Sequence, residues 1–284
     1  MANLRAIRTR IKSVENTRQI TKSMKMVAAA KLRRTQAAFG AQKDFAQRSA
    51  RMLAEVSGGG RETENPLLKP HEENRTVCYV LIVGNRGLCG TYNHALLRYL
   101  EDLARKDGRD CCLVVCGRWG KDLLPGTGLP VKRTFEVSDT PGTAEAQELA
   151  AYLRQLYLSG EVDEVVLVFQ QYKSVLQQYP GCRKLLPLEQ EEGKGDAGRY
   201  LFEPDRESLL DTLLTMYIDN TVHAALLEAR TGEHSARMTA MTAAADNTEE
   251  LIADLTLELN HARQSAITTE ISEIVGGAAA LNQK

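Results

Sequence analysis

The stretch "VGNRGLCGTYN", residues 83–93, is where the residue types and spacing most suggest chemistry. It follows an apolar run, "VCYVLIV", and precedes a helical pattern, "HALLRYLEDL". A strand, a glycine loop and a helix start are a common cradle for phosphate, because backbone N–H groups and the helix dipole converge there. Gly84, Gly87 and Gly90 are spaced GxxGxxG, which is neither GxGxxG nor the GxxxxGK[ST] phosphate loop. No lysine follows Gly90; Thr91 and Tyr92 stand there. The second strand-like run ends in Cys116 and Gly117, with no acid to hold a ribose. A tight turn needing positive φ, or a protein contact, fits the spacing better than a nucleotide-binding α/β enzyme.

Other candidate reactive groups are isolated. Cys89 has no histidine nearer than His94, which lies in the following helix, and no orienting acid. The six cysteines (78, 89, 111, 112, 116 and 182) include no CxxC, and no pair of histidines lies near them. Buried, reduced thiols are the expectation. His71, His94, His223, His234 and His261 are scattered and read as structural or surface groups. The carboxylates of "QEEG" and "TEEL" read as solvated faces. No catalytic residue, cofactor site or metal site is expected.

Phosphate binding by the basic start of the chain is a separate possibility. Lys22, Lys25, Lys31, Arg33 and Arg34 could neutralise nucleic-acid phosphates. Phe39 and Phe45 are the only aromatics there, so base stacking has little support, and the cations fall on all sides of the helix. A surface facing acidic protein fits as well. The whole chain, 284 residues at net charge -1 and 43% hydrophobic, has no global pull toward nucleic acid and enough apolar residues for a core. The basic start has no apolar stretch behind it, so no signal peptide is expected, and no window approaches the ~18 apolar residues of a membrane span. A soluble chain made in the cytosol is expected.

The positioning elements follow from punctuation and periodicity. The first glycine is Gly40 and the first proline Pro66, so residues 3–56 read as one helix, ended by Gly58, Gly59 and Gly60. Leu4, Ile7, Ile11 and Val14 keep a 3,4,3 spacing; the apolar positions then slip to Ile20, Met24, Val27 and Leu32, which predicts a seam with a local shift. Pro204 sits near a second helix start, and Asp205 to Val275 contains no proline and one glycine, Gly232, placed to bend or split the helix. Met238, Met241, Ala245, Thr248, Ile252, Leu255, Leu259, Ala262 and Ala266 hold an unbroken 3,4 alternation, the mark of a left-handed coiled coil. About 70 residues at about 1.5 Å each make a rod of roughly 105 Å. Residues 1–52 carry thirteen Lys/Arg and two Asp/Glu, a net +11, and residues 240–284 a net -5, so the two helices should attract along their flanks. Between them, strands are expected at 76–83, 111–117, 129–137 and 163–172 and helices at 93–106 and 143–158, an α/β domain with a largely parallel sheet. Residues 187–200 read as a polar loop back to the second long helix.

Four segments now carry a resemblance: "IRTRIKSVENTRQITKSMKMVAAAKLRRTQ" (7–36), "NRGLCGTYN" (85–93), "YLFEPDRESLLDTLL" (200–214) and "EHSARMTAMTAAADNTEELIADLTLELNHARQSAITTEISEIVGGAAAL" (233–281). They resemble the gamma subunits of F-type ATP synthases, of bacterial type, over both termini and the middle. The family's loop more often reads SDRGLCGGYN; here Gly84, Asn85 and Thr91 replace its serine, aspartate and second glycine. Glu15 and Ser23 stand where lysine and alanine are common, and His223 where tyrosine is frequent. The insertion with a regulatory cysteine pair found in chloroplast members is absent, so a thiol-switched form is not expected.

The resemblance implies an α plus α/β fold, with a long antiparallel coiled coil from the N- and C-terminal helices and an inserted Rossmann-like α/β domain. The implied pieces are 1–57 and 205–284 for the coil and 76–195 for the globular domain. It implies the noncatalytic central-stalk rotor of an F1Fo ATP synthase, on the cytoplasmic side of a bacterial membrane and peripheral to it. The implied partners are the alpha and beta subunits of an alpha3beta3 hexamer, the epsilon subunit and the membrane c-ring. Neither nucleic acid nor a direct membrane span is implied. Arg237, Gln264 and Thr268 match positions that touch beta-subunit loops, and Met24 lies on the facing helix, where simple seam packing is the alternative.

Overall fold

Strand β1 (Thr76–Ile82) lies at the centre of a five-stranded sheet and is buried along almost its whole length. Its alternate side chains enter two cores: Cys78, Val80 and Ile82 face one, and Val77, Tyr79 and Leu81 the other. A strand covered on both faces loses the polar half of the usual alternation, which is why it reads as one apolar run. The computed structural model describes residues 2–57, 65–120, 127–188 and 205–281. The chain divides into two compact units, Ala28–Arg237 and a second made of Met1–Val27 with Met238–Lys284.

In the larger unit the sheet also contains β2 (Asp110–Cys116), β3 (Val131–Phe135), β4 (Glu164–Tyr172) and β5 (Gln178–Leu186), in the order β3-β2-β1-β4-β5. The pairs β1–β2, β1–β4 and β2–β3 are parallel; β4–β5 is antiparallel. The largely parallel α/β reading holds, but it missed β5. Pro180 and Gly181 interrupt that segment, and proline is tolerated there because β5 is an edge strand. Helix α2 (Tyr92–Asp107) covers one face with Leu96 and Leu100, and ends at Gly108 in the left-handed region, φ 71°. Helix α3 (Thr143–Leu158) covers the other face with Leu149 and Leu153, joined by Leu214, Val222 and Leu226 of the long C-terminal helix.

Two helices contribute to both units: α1 (Ala2–Ser57) and α4 (Arg206–Leu281). Gly232 does not break α4. It lies against the Tyr92 ring and Gln170, which an added Cβ would meet in ordinary contact at 3.4 and 3.6 Å. Glycines 58–60, Pro204 and residues 189–200 of the expected polar loop lie outside the described residues.

In the smaller unit α1 and α4 run antiparallel. Leu4 shares a groove with Ala262 and Ala266, and Arg18 pairs with Glu249 at 3.6 Å. All nine expected seam positions of α4 are buried or half-buried. The expected slip in α1 does not occur. Ile20 and Val27 are 60% and 56% exposed, and the inward positions continue through Arg18 and Thr21 at the same 3,4 spacing. Ala28, Leu32 and Thr35 of the same helix keep that phase. Thr21 can occupy the seam because its hydroxyl donates to the Arg18 carbonyl at 2.9 Å, so no polar group is stranded. The Arg18–Glu249 pair is largely exposed and contributes little, which leaves the apolar seam as the main source of pairing energy.

Candidate functional site

In a sheet ordered β3-β2-β1-β4-β5 the connection reverses direction between β1 and β4, and the crevice beyond the C-terminal ends of those strands is where such folds bind ligands. Here α4 crosses that crevice. Arg230 and Glu233 are each 1% exposed, and Thr231, His234 and Ser235 are buried beside them. The glycine loop therefore faces a helix of its own chain.

The contacts centre on Arg230. Its Nη1 donates to the Val83 carbonyl at 3.1 Å, just past β1, and to Glu233 Oε2 at 2.6 Å. Its Nη2 donates to Asn85 Oδ1 and to the Val137 carbonyl, each at 3.1 Å, and its Nε to the Ser138 carbonyl at 3.1 Å. The planar guanidinium presents five N–H donors in a fixed fork, and this geometry uses all three nitrogens. Arg237 adds a second fork: its Nη2 donates to Glu233 Oε1 at 2.6 Å and to the carbonyls of Arg86 at 3.0 Å and Gly87 at 3.4 Å. Burial alone would raise the Glu233 carboxyl, but the two flanking arginines outweigh it and hold it below the ordinary carboxylate range. Burial pushes the neighbouring His234 down, favouring the neutral ring, whose Nε2 lies 3.3 Å from the Asp139 carbonyl.

The glycine loop is built to fit this helix. Gly84 donates to Asn93 Oδ1 at 2.9 Å, and a Cβ on it would come within 3.0 Å of the Glu233 carboxyl group. Positive φ does occur in the loop, at Gly90 (61°) and at Leu88 (60°), where it costs roughly 1–2 kcal/mol for a residue with a side chain. Asn85 has a specific reason to differ from aspartate. Its Nδ2 donates to the Val137 carbonyl at 2.7 Å while its Oδ1 accepts from Arg230, and an aspartate could only accept.

Cys89 is buried, and burial raises its thiol pKa, which disfavours the thiolate needed of a nucleophile. His94 packs edge-on against Trp119 rather than against Cys89. Among the described residues no cluster of three or more His, Cys, Asp or Glu could hold a metal ion. What the arrangement does is bind one helix to several loops by directional hydrogen bonds.

Of the site residues expected from sequence, Arg237 joins the glycine loop. Gln264 and Thr268 lie one turn apart and exposed on α4, with the Thr268 hydroxyl donating to the Gln264 carbonyl at 2.9 Å. Met24 is half-buried on α1. Sequence reading missed Arg230, Glu233, Asn85 and Asn93. The available signal was a basic and an acidic residue three apart in "EARTGE", a helical ion-pair spacing.

Residues 3–281 match the ATP synthase family. The ATP synthase gamma chain of Desulforamulus reducens is 45% identical over 284 residues, covering 99% of this chain and all of that relative. In the central stalk and c-ring structure of the Tetrahymena thermophila mitochondrial ATP synthase, one chain is 26% identical with a TM-score of 0.61, over 79% of this chain and 99% of that one. A chain of the Euglena gracilis mitochondrial ATP synthase, OSCP/F1/c-ring, has the same fold at a TM-score of 0.71 and 19% identity, over 99% of this chain and 95% of that one. With a family match from end to end and a close relative covered in full, the chain belongs to the ATP synthase gamma chain family.

Proposed function

We propose that the chain is the central-stalk rotor subunit of an F1Fo ATP synthase, coupling ion-driven rotation of a membrane c-ring to ATP synthesis or hydrolysis at the beta subunits of an alpha3beta3 hexamer. The observation that carries this is the full-length kinship with a gamma chain at 45% identity. The geometry agrees: the crevice where an α/β sheet would take a nucleotide is filled by Arg230 and Glu233 of the chain's own helix. The chain is noncatalytic in this reading. It acts on each beta site only through a different interaction with the open and the closed state.

Residues 1–57 and 205–284 supply the coil, and 76–195 the globular domain that meets the epsilon subunit and the c-ring. Met24, Arg237, Gln264 and Thr268 are the proposed contacts to beta-subunit loops, and "VGGAAAL" (275–281) suits a small, smooth tip in a tight sleeve. No described helix is long and apolar enough to cross a membrane. The proposed location is peripheral, on the cytoplasmic face of a bacterial membrane.

Affinity purification of the tagged chain from its source cell tests the reading. Alpha, beta and epsilon subunits should co-purify in fixed stoichiometry, and the chain alone should show no ATP binding by calorimetry. Recovery without alpha and beta subunits overturns it.

A further inference from the structure

Residues 228–237 of α4 form a collar of directional bonds to the loops at the C-terminal ends of the sheet. Glu228 Oε1 accepts from the Tyr172 N–H at the end of β4, at 3.0 Å. The Ala229 carbonyl accepts from the Tyr92 hydroxyl at the start of α2, at 2.7 Å. Arg230 reaches the segment after β1 and the segment after β3 with a single side chain. The Ser235 hydroxyl donates to the Val175 carbonyl in the β4–β5 hairpin, at 2.9 Å. Arg237 holds the glycine loop.

Apolar burial is non-directional, so a helix packed only by leucines can turn about its own axis by exchanging one apolar contact for another. Hydrogen bonds weaken steeply with misalignment. Turning α4 by one residue would remove Arg230 from its acceptors on both segments at once and strand a buried cation.

We propose that this collar is a torsional lock, with Arg230 as its positioning residue: it fixes the rotational angle of α4 within the α/β domain. Torque applied to the domain then turns the helix without angular play. The proposal rests on the rotor reading above. It adds a named joint through which the rotor stays stiff.

The test uses the complete complex, with the hexamer fixed to a surface and a probe coupled to the exposed face of α2. The variance of the probe angle during a pause reports torsional compliance. Arg230→Met is compared with Leu226→Ala, which opens a cavity on the same helix without touching the collar. Arg230→Met should widen the variance by about twofold, because directional ties are lost, while Leu226→Ala at a similar loss of Tm should leave it unchanged. An unchanged variance in Arg230→Met, or equal widening in Leu226→Ala, overturns the lock. If Arg230→Met does not assemble, the double variant Tyr92→Phe with Ser235→Ala removes two ties without stranding a charge. It should widen the variance, and an unchanged variance overturns the proposal. Absence of ATP-driven turning in the unaltered complex would overturn the rotor reading and the lock with it.

Discussion

Gly84 and Glu233 meet at the C-terminal edge of the sheet so closely that a Cβ on Gly84 would stand 3.0 Å from the Glu233 carboxyl carbon. Glu233 has no room to retreat, because Arg230 and Arg237 hold its two oxygens from either side. Serine at this position should therefore be unwelcome. Gly84→Ser is expected to destabilise the chain by about 1–3 kcal/mol through overpacking, read from chemical denaturation midpoints. A neutral or stabilising effect would show that the carboxylate moves freely.

Glu233→Gln leaves Arg230 buried without its counter-charge and should cost about 3–5 kcal/mol at neutral pH. The pH dependence has a definite sign. The folded pKa of Glu233 is depressed, so its contribution is present above the ordinary value of 4.5 and is lost as pH falls through the folded value. Thermal melts across the acid range should show the unaltered chain losing stability there and Glu233→Gln changing less. Parallel curves for the two would contradict the assignment.

Glu228, five residues earlier on the same helix, should behave in the opposite way. Burial raises its carboxyl above the ordinary value, against the opposing pull of the Tyr172 N–H and Arg183. Its contribution is therefore present below 4.5 and lost as pH rises through the folded value. Glutamine keeps an oxygen for the Tyr172 N–H and gives up the 3.6 Å approach of Arg183. Glu228→Gln should be neutral or stabilising at neutral pH, within about 1 kcal/mol, by the same denaturation assay. A loss comparable to that of Glu233→Gln would place Glu228 among the essential ion pairs.

The corrected seam of α1 separates two adjacent residues. Ile20 is exposed and Thr21 is 8% exposed. Ile20→Lys should change stability by less than about 0.5 kcal/mol. Thr21→Lys should lower the melting temperature followed by circular dichroism, as should Leu255→Lys on the facing helix, because each places a charge in the seam. Equal effects of Ile20→Lys and Thr21→Lys would restore the slipped register.

Features that depend on neighbours a few residues away were legible in the amino-acid order. The unbroken repeat from Met238 to Ala266 marked one face of α4, and the doubly covered strands β1, β2 and β4 stood out as apolar runs. Local pattern failed where burial was decided from outside the segment. Thr21 and Ala28 occupy the α1 seam phase although Ile20 and Val27 are more apolar, because they keep the heptad phase and the Thr21 hydroxyl is satisfied within its own helix. β5 exists because β4 offers an edge to pair with, although Pro180 and Gly181 interrupt its strand pattern. The glycine loop shows the division most clearly. Its spacing argued against a phosphate, but what it meets was set by the folded chain, which brings Arg230, Glu233 and Arg237 to the loops at the C-terminal ends of the strands. Hydrogen bonds between residues so distant in sequence leave no periodicity to read, and their directionality acts only once the fold has placed donor and acceptor together.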